Sequence, residues 1–337
     1  MNQSSGDGIT TEPWKAVGPS TGITSDLPET VELKWLMVVS VFLAFVGNCI
    51  NIYIIPQLND ITDSNRVLYT GRSAFDLLIS LLYMPCLKPA FAGYWIYPDW
   101  SCKLVGFLLV YSFGMAEVIV VMTTADRFCI IYKPLRYPTL ASRKVTAIVV
   151  GIVCIFFCLI QILLYQVAGN SWDIIRFRVY GVCMVDYSVP YFAPYTLAAM
   201  SFILISAAVL IFVYAKITCI VRKHARRIAA QNNVIGRDNR LVEGMTLVRS
   251  TIIACVTSGL FMVSWIPYSV CEVMAAVTGH PVSVYALTVA ARLTLCNTWF
   301  NVFVYSWLNR EFRRVLLKVA CRVKRRVMEQ VSTSDVG

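Results

Sequence analysis

The chain has 337 residues, with a hydrophobic share of 58%, a charged share of 15% and a mean hydropathy of +0.65. This composition is unusual for a soluble domain of that length and is typical of a membrane protein. The formal net charge is +11, but the basic residues cluster as they do beside membrane spans, which excludes a nucleic-acid partner. With two histidines and no legible nucleophile–base or metal-ligand cluster, the sequence indicates neither an enzyme nor a metal site.

Seven apolar stretches fill nearly all of the chain between Trp35 and Leu308. Each has about 20 or more residues, the length of helix that crosses the roughly 30 Å core of a bilayer. In lipid the backbone must hydrogen-bond to itself, so each stretch is predicted to be helical. The predicted fold is an all-α membrane protein, a seven-transmembrane helix bundle over residues 35–307. Its spans are 35–57, 67–92, 103–132, 145–167, 191–217, 249–275 and 283–307.

Basic residues are distributed unequally between the two sides of these spans. The loops on the side of the N-terminus carry few, whereas the other loops and the C-terminal tail carry many. The positive-inside rule then predicts a multi-pass protein of the cell membrane with an extracellular N-terminus and a cytoplasmic C-terminus. Residues 1–34 form an extracellular tail, in which Asn2-Gln3-Ser4 is a glycosylation sequon at Asn2. The excess positive charge faces anionic membrane lipids and cytoplasmic partners.

Two of the twelve cysteines lie outside the helical interiors, on the outer side of the membrane. Cys102 stands at the outer start of the third span, and Cys183 lies in the long loop before the fifth. Because the extracellular compartment is oxidising, we expect a Cys102–Cys183 disulfide that holds this loop over the bundle.

A series of motifs follows the spans in order, beginning with polar residues that would be costly in lipid without a partner or a cavity. They are Gly47-Asn48 in the first span, Asp76 in the second, Asp126-Arg127-Phe128 at the inner end of the third, Pro134-Leu135 in the next loop, Phe261 to Tyr268 (FMVSWIPY) in the sixth, Asn301 to Tyr305 (NVFVY) in the seventh, and Asn309 to Arg314 after it. Together, over residues 35–325, they resemble the rhodopsin-like class of G-protein-coupled receptors.

The resemblance implies a signalling receptor that activates a heterotrimeric G protein, with arrestin and a receptor kinase as further partners. In this family an outward swing of the sixth helix frees the arginine corresponding to Arg127, which Asp126 neutralises in the inactive state. Coupling is accordingly expected at Asp126, Arg127, Pro134, Leu135 and Tyr305.

The resemblance also implies an activation switch in the middle of the bundle. Trp265 corresponds to the residue that couples ligand to movement, and Pro267 bends the sixth helix because it removes one helical hydrogen bond. Phe261, Glu117 and Asn301 complete this set. Glu117 and Val302, the latter in place of the family's proline, depart from the usual pattern and suggest a divergent activation mechanism.

A polar network or a sodium site is expected near Asp76. Asn297, Thr298 and Asn301 resemble the rest of the family's sodium and water pocket, and hard oxygen ligands suit a small cation. However, Ala116 stands where a serine often supplies a ligand, and Arg72 lies one helical turn from Asp76, close enough to occupy its carboxylate. Both interpretations stay open at this point.

The ligand class is indicated mainly by what is missing from the pocket positions. Leu109 replaces the aspartate of amine receptors, and Leu295 stands six residues before Asn301, where opsins carry the retinal lysine. Leucine cannot form a Schiff base, and Val105 occupies the usual counter-ion position. The Cys183 to Tyr187 sequence (CMVDY) nevertheless resembles the outer loop of opsins. We therefore expect an opsin-related, placopsin-like receptor with no covalent retinal and an unknown small ligand.

The expected pocket is apolar with a few polar tips, and its mouth carries charges. It consists of Leu109, Trp265, Tyr268, Glu272, Arg292 and Leu295. Lys88, Glu272 and Arg292 lie near the outer ends of their helices, where they either favour an acidic or zwitterionic ligand or are interfacial charges in salt bridges. A true photoreceptor that uses noncovalent retinoid or another lysine is an alternative. A transporter or channel is a remote one, since repeated halves and a line of charges through the membrane are absent.

After the seventh span, residues 308–337 read as an amphipathic eighth helix and a short cytoplasmic tail. Charged residues such as Glu311 and Arg313 alternate with Phe312 and Leu316, as a helix lying on a membrane surface requires. Cys321 follows among basic residues and is a candidate palmitoylation site.

Overall fold

The computed structural model describes residues 31–132, 136–137, 141–167, 175–178, 180–185, 193–231, 239–278 and 282–334. Their helices are α1 Val31–Gln57, α2 Asp63–Ala92, α3 Asp99–Tyr132, α4 Arg143–Val167, α5 Ala193–Gln231, α6 Asn239–Thr278, α7 Val284–Leu308 and α8 Arg310–Ser334. This arrangement confirms the predicted helical bundle, and each of the seven expected spans lies on one of α1 to α7.

Six of the helices, α1 to α6, are long and apolar enough to cross a membrane. Of the other two, α7 has a similar length of 25 residues but buries several polar side chains in the bundle. Those polar residues include Arg292, Asn297 and Asn301. These buried polar side chains lower the hydropathy of the seventh helix, although it lies in the same bundle.

Proline and short polar residues determine where the helices bend, begin and end. A 3₁₀ turn at Met84–Cys86 interrupts α2 next to a proline, and α6 contains Pro267 within the helix. The hydroxyl of Thr62 caps α2 by accepting a 3.4 Å hydrogen bond from the Asn65 N–H.

The bundle has a hydrophobic core and an outer surface that is also apolar. Leu109, Leu295 and Tyr268 belong to one buried cluster that runs through most of the helices. Large apolar side chains such as Phe42 and Ile155 instead face outward and are exposed. An exposed surface this rich in hydrophobic residues suits contact with lipid.

A short antiparallel hairpin covers the outer end of the bundle. Its strands are β1 Ile175–Phe177 and β2 Cys183–Val185, with Ile175 opposite Val185. The hairpin packs directly on α3, where a Cβ on Gly106 would collide with the Ile175 side chain. The Cys102–Cys183 disulfide joins the same two elements, which confirms the disulfide predicted from the sequence.

Helix α8 is joined to the inner end of the bundle through polar and aromatic contacts. The Asn309 side chain caps it by accepting a 3.0 Å hydrogen bond from the Phe312 N–H, and the Phe312 ring is fully buried beside Tyr305. The sequence predicted an amphipathic helix followed by a short tail. In the structure the helix continues to Ser334, because no proline or glycine interrupts it before that point.

Candidate functional site

The inner end of α3 carries a buried ion pair. The Arg127 guanidinium lies 3.0 Å from Asp126 Oδ2 and is 1% exposed. The other carboxylate oxygen, Asp126 Oδ1, accepts a 2.8 Å hydrogen bond from the Tyr137 hydroxyl. Arg127 is also 3.4 Å from the Thr62 hydroxyl. The arginine expected to meet a G protein is thus held inside the bundle by three residues from the inner loops and α3.

Of the other three residues expected at the coupling surface, the structure describes Tyr305. Tyr305 is buried and lies between Tyr69 and Phe312, with ring centroids 5.2 and 6.2 Å away. A third tyrosine, Tyr214 of α5, joins α3 to α6 through its hydroxyl, which is 3.1 Å from Thr124 and 3.2 Å from Ser258. Pro134 and Leu135 lie outside the described residues.

The polar core in the middle of the bundle is organised around Asp76, which is fully buried. Its Oδ2 atom accepts hydrogen bonds from Arg72 Nε at 2.9 Å and from Asn301 Nδ2 at 3.1 Å. The Thr298 hydroxyl instead donates to the Leu295 carbonyl of its own helix at 2.7 Å. Asn297 is also buried nearby on α7. Arg72, one of the two expected partners of the carboxylate, therefore contacts it directly.

Trp265 of the predicted switch lies at the centre of a cluster of aromatic rings. Trp265 packs against Phe113 of α3 at 5.2 Å, against Phe261 at 5.8 Å and against Tyr268 at 6.1 Å between ring centroids. Glu117 is buried on α3 and accepts a 2.7 Å hydrogen bond from the Ser206 hydroxyl of α5. The aromatic and acidic members of the switch thus connect α6 and α5, respectively, to the central helix α3.

The outer half of the bundle contains an apolar floor. Leu109 and Leu295 are both fully buried there, in the same cluster as Trp265 and Tyr268. The Tyr268 hydroxyl shares a 3.1 Å hydrogen bond with that of Tyr180 in the outer loop. Burial raises the pKa of Tyr180 to about 12, so this hydroxyl remains protonated near neutral pH.

The three charged residues expected near the pocket mouth differ in exposure. Lys88 is exposed, whereas Glu272 and Arg292 are 1% and 2% exposed. Glu272 pairs with Arg178 of the outer loop at 3.6 Å, and Arg292 donates a 3.0 Å hydrogen bond to the Leu33 carbonyl. The ion pair of Glu272 with the outer loop fits the salt-bridged alternative, and the role of these charges toward a ligand stays a prediction.

Sequence reasoning did not select Arg178 or Tyr180 as site residues. Both belong to the segment that connects β1 to β2, in which Gly181 adopts a left-handed φ of +80°. A Cβ on Gly181 would lie 2.6 Å from the Ala90 Cβ, so glycine permits the close approach of this turn to α2. The glycine is the one local signal that could have indicated a tight turn over the bundle.

Comparison with known proteins agrees with the helical bundle. Residues 47–305 match the family model of the 7 transmembrane receptor (rhodopsin family). The chain belongs to this family, and it is therefore a membrane receptor of the rhodopsin-like class. It is 26% identical over 322 residues to Melanopsin-A of Gadus morhua, with coverage of 88% of this chain and 54% of that protein. The chain thus spans about half the length of this relative.

Other similar receptors are named after ligands of different kinds. The chain is 21% identical to Trace amine-associated receptor 9 of Rattus norvegicus, covering 81% of this chain and 82% of that one. It is 23% identical to the RYamide receptor of Tribolium castaneum, with coverages of 82% and 77%. The structure of squid rhodopsin has the same fold, with a TM-score of 0.71, 21% identity and 91% coverage of both chains. The comparisons define the family and leave the ligand open.

Proposed function

We propose that this receptor binds a small ligand noncovalently in the outer half of the bundle and activates a heterotrimeric G protein at Arg127. The observation that carries the proposal is the position of Leu295. This side chain is fully buried among the residues around Trp265 and Tyr268, at the position where the resemblance to opsins predicts a lysine. A methyl-terminated side chain offers no amine to a retinal aldehyde.

The coupling half of the proposal is supported by the state of the inner ion pair. Arg127 is buried, paired with Asp126, and separated from the cytoplasm by the Tyr137 and Thr62 contacts. A ligand can activate such a receptor only if it binds the open state more tightly than this closed one. An outward movement of α6 that opens the inner end would release the arginine for a G protein.

The ligand half of the proposal follows from the chemistry of the outer site. Leu109, Leu295 and Phe113 supply apolar contacts, and the Tyr268 hydroxyl supplies a polar one. Pockets of this kind suit a small hydrophobic or weakly acidic ligand. A primary amine is disfavoured, because Leu109 stands where an aspartate would pair with it.

A photoreceptor that uses noncovalent retinoid is the second candidate function. The similarity to Melanopsin-A and the squid rhodopsin fold favour it. Use of another lysine is less well supported, since none of the buried side chains in the described residues is a lysine. Lys88 is exposed on α2, and Lys103 pairs with Asp99 at 3.0 Å on the surface of α3.

The orientation and the remaining partners belong to the same proposal. The N-terminus is extracellular, the C-terminus is cytoplasmic, and α8 lies on the inner membrane face among anionic lipids. Arrestin and a receptor kinase act on the activated receptor. Cys321 is exposed on α8, as palmitoylation requires, whereas the Asn2 sequon lies outside the described residues.

The coupling proposal is tested by comparing wild type, Arg127→Ala and Arg143→Ala in cells that report on each G-protein class. Arg143 is an exposed arginine at the start of α4 and controls for loss of positive charge on the inner face. We expect Arg127→Ala to reach the cell surface and lose basal and ligand-driven signalling, while Arg143→Ala keeps both. Unchanged signalling by Arg127→Ala at equal surface expression would overturn the proposal.

A further inference from the structure

The Arg72 side chain occupies the middle of the bundle, where a charged group is costly unless it is fully compensated. It is 6% exposed. Its Nε donates a 2.9 Å hydrogen bond to Asp76 Oδ2 on its own helix, and Nη1 donates a 3.0 Å hydrogen bond to the Ala116 carbonyl of α3. Both polar contacts are to groups that carry negative or partial negative charge.

The same guanidinium also contacts α6. Its central carbon lies 5.5 Å from the centroid of the Phe261 ring, within the distance at which a cation is attracted to an aromatic face. Phe261 in turn stacks on Trp265 at 5.8 Å. One side chain of α2 thus joins α3 and α6, and Asp76 extends the set to α7 through Asn301 at 3.1 Å.

The charge balance at Asp76 determines what else can bind there. An isolated buried carboxylate needs a compensating cation, and the arginine supplies one through a direct hydrogen bond. A sodium ion on the same carboxylate would lie a few ångströms from the guanidinium and be repelled by it. Arg72 is covalently attached, so it competes for this position at a far higher effective concentration than a dissolved ion.

We propose that Arg72 is the resident cation of the polar core and a positioning residue that holds α6 inward through Phe261. Two consequences follow from this single arrangement. The receptor does not respond to sodium, because its own side chain already supplies the positive charge that pairs with Asp76. The inward position of α6 is stabilised by Arg72, because outward movement separates the Phe261 ring from the guanidinium. The second consequence rests on the proposed function, whereas the first does not.

The sodium consequence is tested on purified protein by thermal unfolding in sodium chloride and in choline chloride at equal ionic strength. We expect the same Tm in both salts for wild type. Arg72→Met exposes the Asp76 carboxylate to the salt solution and should unfold at a higher Tm in sodium than in choline. The double variant Arg72→Met with Asp76→Asn should lose that difference.

Two results would overturn this part of the proposal. One is a sodium-dependent Tm of wild type that Asp76→Asn abolishes, because a cation would then share the site with Arg72. The other is a folded Arg72→Met protein whose Tm is the same in both salts. If Arg72→Met does not fold, the comparison of wild type with Asp76→Asn in the two salts still decides the question.

The positioning role is tested by basal signalling of Arg72→Met, Arg72→Lys and Phe261→Leu at equal surface expression. We expect basal signalling to rise about tenfold in Arg72→Met, which corresponds to about 1.4 kcal/mol, and to a similar extent in Phe261→Leu. Arg72→Lys keeps the charge, so its basal signalling should stay close to that of wild type. The double variant Arg72→Met/Phe261→Leu should exceed neither single variant, and additive effects of the two would contradict the role. If no variant signals at all but the sodium results hold, the G-protein proposal fails and the cation assignment stands.

Discussion

The Tyr137 hydroxyl donates a 2.8 Å hydrogen bond to Asp126 Oδ1, the carboxylate that also pairs with Arg127 at 3.0 Å. Burial raises the pKa of Tyr137 to about 12, so the hydroxyl is a neutral donor near neutral pH. The Tyr137 hydroxyl oxygen also lies 3.2 Å from the Thr62 hydroxyl oxygen. The loop that carries Tyr137 therefore holds the Asp126 carboxylate in the orientation that retains the arginine.

Replacing Tyr137 with phenylalanine removes this donor and leaves the ring. A hydrogen bond to a charged group contributes roughly 1.5 to 3 kcal/mol, and its loss weakens the closed state relative to the open one. We expect basal G-protein signalling of Tyr137→Phe to rise severalfold at equal surface expression.

The matched control for that variant is Tyr132→Phe. Tyr132 is 64% exposed and stacks on Phe128 at the end of α3, so loss of its hydroxyl should leave basal signalling unchanged. Equal signalling by Tyr137→Phe and wild type would show that the Tyr137 hydrogen bond does not hold the closed state.

A second prediction concerns the contact between the first inner loop and α8. Glu311 accepts hydrogen bonds from the backbone N–H groups of Asn59 at 3.0 Å and Asp60 at 2.7 Å. Burial of Asp60, followed by its side-chain hydrogen bond to Glu311, raises the Asp60 pKa to about 6. Burial alone would raise the pKa of Glu311, but its hydrogen bonds to Asp60 and to these N–H groups outweigh that effect and lower it.

Because the folded protein binds the Asp60 proton more tightly than the unfolded chain, this group stabilises the fold at low pH. That contribution decreases as the pH rises from about 4 to about 6. Glu311 acts in the opposite direction, but only below its ordinary pKa, so Asp60 dominates between about pH 4.5 and 6. Thermal unfolding of Asp60→Asn should therefore depend less on pH than that of wild type in this range. If the Tm of Asp60→Asn depends on pH in the same way as that of wild type, Asp60 is not the source of this pH dependence.

The Cys102–Cys183 disulfide closes a sequence separation of 81 residues. In the chain-entropy model a loop of that size favours the folded state by about 4 kcal/mol. We expect Cys102→Ala to unfold at a clearly lower temperature and to bind ligand poorly, because the hairpin above the pocket is no longer fixed to α3. Cys49→Ala, which changes an exposed thiol on α1, is the control. Equal Tm values for both variants would contradict a stabilising disulfide.

Palmitoylation of Cys321 is tested by acyl-exchange labelling of wild type and Cys321→Ser. The thiol is exposed on α8, and Lys318 and Arg322 beside it are exposed as well, which favours a site at the membrane surface. We expect labelling to fall in Cys321→Ser. Identical labelling of the two proteins would exclude this site.

The features that could be predicted from the sequence are those fixed by local composition. The apolar spans identified the seven helices, because length and hydropathy alone decide which segments suit a bilayer. The disulfide was predictable since Cys102 and Cys183 both lie on the outer side. The Arg72–Asp76 pair was named as an alternative because residues one turn apart on a helix are neighbours.

The contacts that were missed join segments distant in sequence. Arg178 reaches Glu272 and Tyr180 reaches Tyr268 only because the hairpin folds inward over α6. The contact of Arg72 with Phe261 depends likewise on the arginine side chain of α2 reaching across the bundle to α6. The spacing of residues along one segment does not indicate which side chain of a distant loop will contact it. These contacts could therefore be identified only from the structure.

The most direct test of the account is treatment of the purified receptor with 11-cis-retinal, followed by borohydride reduction and intact-mass measurement. Leu295 stands at the opsin lysine position and is fully buried, so wild type should show no visible-absorbing pigment and no retinyl mass increase. Leu295→Lys is the positive control, and it should gain an adduct that absorbs in the near-ultraviolet because Val105 supplies no counter-ion. A borohydride-stable retinyl adduct on wild type would contradict noncovalent ligand binding and identify the protein as a photoreceptor that uses another lysine.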